Sequence, residues 1–269
     1  MLAPGGPTAA AELSLFWLVI ALTLIVVVPV LLLTPWLAWR YRHGAKSSDY
    51  RPDWEYSRPM EYLIWGVPIA VTAILAGVLW PQAFQLDPYQ PLPSASAPLE
   101  VEVVSLDWKW LFIYPEQHLA AVNQLAIPVG RPVHLTLTSD SVMQSLMIPQ
   151  LAGQIYTMAG MKTQLYLQAD QVGTYRGENT QFNGKGFPQQ KFKTLALSAR
   201  DFAGWIDKVR QSGQALDCST YADLQKRSVL DEPRFYGTAS QHLFDWIASK
   251  YHSHPTLSCS SIQTGSHHG

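Results

Sequence analysis

The sequence predicts a two-helix membrane anchor followed by an exported β-sandwich that ends in short helices, and three observations carry that prediction. Two uncharged apolar runs of spanning length lie within the first 80 residues. Between residues 99 and 198 the chain breaks into short alternating segments rich in β-branched and aromatic side chains. Beyond residue 198 the apolar period turns helical again.

The first run, "LSLFWLVIALTLIVVVPVLLLTPWLAW" (13–39), carries no charge and exceeds the roughly 20 residues that cross a bilayer. The second, "YLIWGVPIAVTAILAGVLW" (62–80), is also uncharged. Pro29, Pro35 and Pro68 fall inside them, which membrane helices tolerate when neighbours satisfy the freed backbone groups. Trp17, Trp36, Trp39, Trp65 and Trp80 sit mostly near the ends, as an aromatic belt does. A buried core helix is the alternative for either run, and a signal peptide for the first. Their length, the missing basic n-region and the lack of an obvious cleavage site argue against both. Arg40, Arg42, Lys46, Arg51 and Arg58 occupy the short connection, with no Lys or Arg before it and none between Arg58 and Lys109. The positive-inside rule therefore puts that loop in the cytoplasm and both termini on the other side.

The expected organisation follows: first span in 1–39, basic loop 40–60, second span 61–80, linker 81–98, sandwich 99–198, helical segment 199–250 and tail 251–269. The linker, "PQAFQLDPYQPLPSASAP", holds five prolines, which suits a stiff spacer. "LEVEVVSLDWKWLFIY" (99–114) reads as strand, and 122–128, 132–139, 145–149, 162–169 and 191–198 are further candidates for an antiparallel sandwich. Ser198, three residues before Asp201, resembles a capping-box start, with Phe202, Trp205, Ile206 and Val209 on one face. Shorter helices are expected from about Thr220 and Ser240.

A net charge of −1, with 14% charged residues, gives no reason to expect nucleic acid as partner. There is no nucleophile–base pairing and no phosphate loop; Gly184 and Gly186 form a lone GxG that reads as a turn. Cys218 and Cys259 are the two cysteines; in an exported domain they form either a disulfide or two separate thiols. Met143, Met147, Met158 and Met161 read as core filler rather than copper handlers. His252, His254, His267 and His268 read as a solvated tail rather than a metal site. The loop "GENTQFNGKGFPQQ" (177–190) is polar and punctuated by glycine, yet has no Cys, His or Met.

Anchor, linker and sandwich together resemble subunit II of the haem–copper respiratory oxidases. The motifs are "WEYSRPMEYLIWGVP" (54–68), "SLDWKWLFIYPEQ" (105–117), "SVMQSLMIPQLAGQIYTMAGMKTQLYLQA" (141–169) and "GTYRGENTQFNGKGFPQQKFKTLALS" (173–198). They resemble most closely the bo-type ubiquinol oxidase branch, over most of residues 10–250. The resemblance implies a cupredoxin-like Greek-key sandwich. The cytochrome c oxidase branch carries a binuclear copper centre there, since thiolate and imidazole donors select copper. Laid over this chain, its His ligand falls on Gln144, its two Cys on Asn179 and Asn183, the loop His on Phe187 and the loop Met on Gln190. The Glu that ligates through its carbonyl falls on Gln181. No metal is expected in this chain, because every side-chain donor is replaced.

By the same resemblance, subunit I holds the haems and one copper, ubiquinol is the substrate of the complex, and subunits I, III and IV with membrane lipid are the partners. Cytochrome c is not a partner. Trp108 and Trp110, on the electron path of the copper-containing branch, are expected to pack in the sandwich or against subunit I. Glu61 heads the second span; it is either an interfacial carboxylate favoured by the helix N-terminus and paired with Arg58, or, as the family implies, the entrance of a proton route. The rival readings are an electron-transfer subunit of a cytochrome c oxidase and a membrane-anchored assembly scaffold. One departure is that members of this branch often begin with a lipoprotein signal and an acylated Cys. No Cys occurs in residues 1–39, which leaves a processed start or a member without the anchor.

Overall fold

The computed structural model describes residues 2–43, 53, 55–230 and 232–251. The expectations for Lys46 and Arg51, for Cys259 and its pairing, and for His252, His254, His267 and His268 lie outside them. The chain divides into a helical unit, Glu12–Asp87, and a second unit made of Met1–Ala11 with Pro88–Gly269.

The helical unit is built on α1 (Pro7–Arg40) and α2 (Arg58–Gln85), both long and apolar enough to cross a membrane. Proline is well placed at each start, where its missing N–H has no helical partner to lose. α2 continues through Pro81 to Gln85, so helix replaces the beginning of the expected linker. Large side chains such as Leu31, Leu32, Trp65 and Trp80 stand exposed along both helices. In water that exposure would be costly; in hydrocarbon it is not.

The second unit is a sandwich. A six-stranded sheet runs in the order β12-β3-β2-β1-β5-β8 and a five-stranded sheet in the order β4-β10-β9-β6-β7. The ranges are β1 Leu99–Leu106, β2 Lys109–Tyr114, β3 Leu119–Val122, β4 Gln124–Pro128, β5 Val133–Ser139 and β6 Gln144–Ile148. They continue with β7 Ala152–Thr157, β8 Thr163–Leu167, β9 Gly173–Asn179, β10 Lys191–Leu197 and β12 Arg234–Tyr236. β11 (Ala215–Leu216) pairs with β13 (Thr238–Ala239) in a small sheet of their own.

Two expectations need correction. The sandwich is mixed: β1 pairs parallel with β5, from Leu99↔Val133 to Ser105↔Ser139, and β4 pairs parallel with β10. Apolar alternation reports which face of a strand is buried, not the direction of its neighbour. The expected strand 99–114 is a hairpin, β1–β2, turning at Asp107 and Trp108 with Trp108 left-handed at φ 65°. A lone Asp107, without Gly, Pro or Asn beside it, is a weak turn mark between two apolar runs.

Burial explains why those runs are so apolar. Val101, Val103, Trp110, Phe112 and Tyr114 face the other sheet and pack with Leu135, Leu146 and Phe192. Val104, Leu106, Leu111 and Ile113 face outward, yet they are covered by Leu216, Tyr221, Leu224, Leu243, Phe244 and Ile247 of the C-terminal segment. That segment comprises α3 (Ala199–Arg210), α4 (Cys218–Gln225) and α5 (Leu243–Ser249) with the short strands between them. α3 starts at Ser198, whose Oγ accepts from Asp201 N at 3.2 Å. Phe202, Trp205 and Val209 of α3 join the inter-sheet core.

Residues ahead of α1 are also fastened to the sandwich. Gly5 N donates to Gln150 O at 2.7 Å, and Asp170 N donates to Gly5 O at 2.8 Å. A Cβ on Gly6 would stand 2.0 Å from Gln168 O, so only glycine fits there.

Candidate functional site

The β1–β2 turn, the start of β6 and the β9–β10 loop meet at one end of the sandwich. Of the six positions singled out in the sequence, four side chains converge there: Gln144 at the head of β6, Asn179 at the end of β9, and Asn183 and Gln190 in the loop. Gln144 and Gln190 are fully buried and Asn179 nearly so. Gln190 is the hub. Its Oε1 accepts from Asn179 Nδ2 at 3.0 Å and from Asn183 Nδ2 at 2.7 Å. Its Nε2 donates to Leu106 O at 3.2 Å and to Gln144 Oε1. Gln144 Nε2 donates to the same Leu106 carbonyl at 3.2 Å.

Asn179 ties the centre to the backbone around it. Its Oδ1 accepts from Ser145 N and Gln181 N, each at 3.0 Å, and its Nδ2 donates to Gln181 O at 2.8 Å. Gln181 thus contributes through its main chain rather than its side chain. Phe187 lies apart from the amides; its ring packs on Phe182 with centroids 5.6 Å apart. The loop closes with a turn of 3-10 helix, Phe187–Gln189, in which Gln190 N donates to Phe187 O at 3.1 Å.

Trp108 roofs the centre. Its Nε1 donates to Asn183 O at 3.4 Å, and its ring lies so close to Gly186 that a Cβ there would stand 2.1 Å from it. Trp110 is instead fully buried between the sheets beside Phe192. The methionines are not core filler. Met143 and Met161 are exposed, Met147 and Met158 half-buried; they mark the rim of the β6–β7 hairpin, where alternation no longer means burial.

Donor chemistry decides what this centre can hold. Carboxamides are hard, neutral groups and offer neither the thiolate nor the imidazole that binds copper tightly. These carboxamides are, moreover, already engaged with one another. The arrangement does not fit a binuclear copper site; it fits a buried polar plug whose carboxamides bond mainly to one another and to nearby backbone.

Sequence reasoning missed the residues that fasten the rim. Asp140, in the β5–β6 turn, has a fully buried carboxylate that accepts from Tyr221 Oη of α4, from Lys250 Nζ at 2.8 Å and from Tyr251 Oη at 2.8 Å. Asp107 accepts from Ser141 Oγ and from Arg227 Nε at 2.7 Å. Lys109 is fully buried, donating to Lys226 O at 2.6 Å and Ser228 Oγ at 2.8 Å. Burial above all, with Arg234 nearby, lowers its pKa to about 8. Nothing in their local sequence marks these residues, because each partner lies far along the chain. In the helical unit, Glu61 occupies the first turn of α2 and accepts from Trp65 Nε1 at 3.0 Å; Trp65, not Arg58, is its partner. Cys218 is buried at the start of α4.

Residues 98–189 match the family "Cytochrome C oxidase subunit II, periplasmic domain", and residues 210–254 match "COX Aromatic Rich Motif". The chain is 43% identical over 251 residues to "Cytochrome bo(3) ubiquinol oxidase subunit 2" of Pseudomonas aeruginosa, covering 93% of this chain and 76% of that protein. It is 44% identical to "Ubiquinol oxidase subunit 2" of Acetobacter aceti, covering 94% and 83%. The chain belongs to the quinol oxidase subunit 2 family. A more distant member, "Quinol oxidase subunit 2" of Bacillus subtilis, is 36% identical and is matched over 88% of this chain and 75% of its own length. For a quinol oxidase subunit 2, the aromatic-rich motif has a visible structural part. Its residues cover the outer face of β1 and β2 and supply Lys250 and Tyr251 to Asp140.

Proposed function

We propose that this chain is the non-redox second subunit of a ubiquinol-oxidising terminal oxidase in a bacterial cytoplasmic membrane. Membership of the quinol oxidase subunit 2 family, joined to an amide plug at the ligand positions of the copper-containing branch, carries this reading. The complex oxidises ubiquinol, reduces oxygen to water and moves protons outward. Its haems and single copper belong to subunit I, and subunits III and IV complete it. Quinol dissolves in the membrane and reaches subunit I directly, so no relay from cytochrome c is needed and the plug takes the place of a metal. The basic loop faces the cytoplasm, and both termini and the sandwich face outward.

Within that complex the chain braces subunit I and offers Glu61 to proton entry. An exposed carboxylate in the first turn of a cytoplasmic helix end collects protons at the membrane surface. The intact complex, purified from membranes, tests the assignment. It should consume oxygen with ubiquinol and not with reduced cytochrome c, and its copper should not exceed one ion per subunit I. Copper beyond that, with turnover on cytochrome c, would sink the reading. Glu61→Ala should slow proton-coupled turnover several-fold; unchanged turnover and pumping removes Glu61 from the route.

A further inference from the structure

We propose that the seam between α5 and the outer face of β1 is a pH-operated clamp, in which an ionised Glu102 repels Asp245 and loosens α5 while a protonated Glu102 lets the seam close. The geometry is that of a helix held on a sheet by a few contacts of opposite sense. Leu243, Phe244 and Ile247 of α5 pack on Val104, Leu106, Leu111 and Ile113. Lys162 Nζ grips Asp245 Oδ1 at 2.6 Å and lies 5.5 Å from the centre of the Phe244 ring. Beyond the helix, Lys250 grips the buried Asp140. Between sheet and helix runs a cavity of about 230 Å³ whose walls include Glu102, Tyr114, His118, His242 and Asp245.

Glu102 is the misfit in that seam. It projects from the outer face of β1, between apolar neighbours that the C-terminal segment covers, and among the described residues its carboxylate has no hydrogen-bond partner. Charged and titratable groups stand around it, while β5 places the neutral Thr136 beside it. α5 and its N-cap present Asp245 and His242, which are 3.8 Å apart. The β7–β8 turn presents Lys162, and the β2–β3 turn presents His118. β1 itself adds Glu100, which is engaged by His134 of β5 at 2.6 Å. Burial, then Asp245, then Glu100 raise the Glu102 pKa from 4.5 to about 7, with Lys162 opposing them.

The sign follows from linkage. A carboxyl whose pKa is higher in the closed seam than in water stabilises closure below the ordinary value of 4.5, and that contribution is lost as pH rises through about 7. The clamp therefore opens toward alkaline pH. It rests on the packing of α5 against the sandwich and does not depend on the oxidase reading.

Hydrogen exchange of amides 243–250 in the full-length protein, expressed as protection relative to the intrinsic rate at each pH, reads the clamp directly. Protection should fall roughly tenfold or more between about pH 5.5 and about pH 8, and Glu102→Gln should flatten the profile. His242→Asn removes the imidazole 3.8 Å from Asp245 and should retain most of the fall. Asp245→Asn removes the opposing charge and should shrink the fall even if the Glu102 variant disturbs the sheet. A flat wild-type profile, a fall that survives in Glu102→Gln, a fall undiminished in Asp245→Asn or one abolished by His242→Asn alone would each overturn the clamp.

Discussion

At the scale of single residues, the amide plug turns on Gln190. It makes four side-chain hydrogen bonds, to two asparagines, a glutamine and a backbone carbonyl. Replacing it by Leu keeps the volume and leaves two amide donors and one amide acceptor unmatched in a buried pocket. Gln190→Leu should lower unfolding free energy by about 2–4 kcal/mol, measured by denaturant titration; a loss under about 0.5 kcal/mol would show that water replaces the hub without cost. Gly186 is the second sensitive point. Its Cβ would collide with the Trp108 ring, so Gly186→Ala should displace the roof, raise Trp108 fluorescence exposure and cost about 1–3 kcal/mol. All four converging amides were legible through the family resemblance, since the ligand positions of the copper-containing branch fall on them. Their mutual bonding was not, because it depends on which rotamer each carboxamide adopts once the others are present.

At the scale of elements, the C-terminal segment behaves as a strap. Its apolar side chains cover the outer face of the six-stranded sheet, and its polar ends reach Asp140 and Asp107 on the turns that frame the plug. The Lys250 ammonium also lies over the Trp246 and Tyr221 rings, at 4.2 and 4.8 Å. Asp140→Ala removes the carboxylate and leaves that cation in a largely buried place, at a cost of about 3–5 kcal/mol. Limited proteolysis should then cut between α3 and α5 well before the sandwich is attacked. Equal resistance in the variant and the parent would mean that the apolar contacts alone hold the strap. The helical start at Ser198 was readable from its capping residue, whereas α4, expected from about Thr220, begins at Cys218 with Asp217 as its N-cap. The partners of the strap were not, since Asp140 and Lys250 are separated by 110 positions and sequence periodicity is blind at that range.

At the scale of the whole molecule, two ionisable groups, half-buried Glu102 and buried Lys109, shape how stability varies with pH. The Glu102 contribution is complete below about 4.5 and fades as pH rises through about 7. Lys109 acts oppositely. Its pKa is lowered from 10.5 to about 8, so its contribution is present above 10.5 and is lost as pH falls through about 8. Thermal unfolding of the wild-type chain and of Lys109→Met should therefore differ in slope between about pH 8 and 10.5. The parent should gain about 2–3 kcal/mol over that range from this residue, and the variant should not; parallel profiles would place the Lys109 amine in water.

The sequence by itself determined the anchor, the sandwich and the chemistry that the plug cannot do. Uncharged length specifies a span, alternation specifies a strand face, and residue type specifies a donor, all without knowledge of contacts. Only the tertiary structure decided the parallel pairings of β1 with β5 and β4 with β10, the hairpin turn at Trp108, the strap on Asp140 and the carboxylate facing Asp245. Each depends on which distant segments meet, and the free energy of such meetings lies in burial and charge proximity that no local pattern encodes.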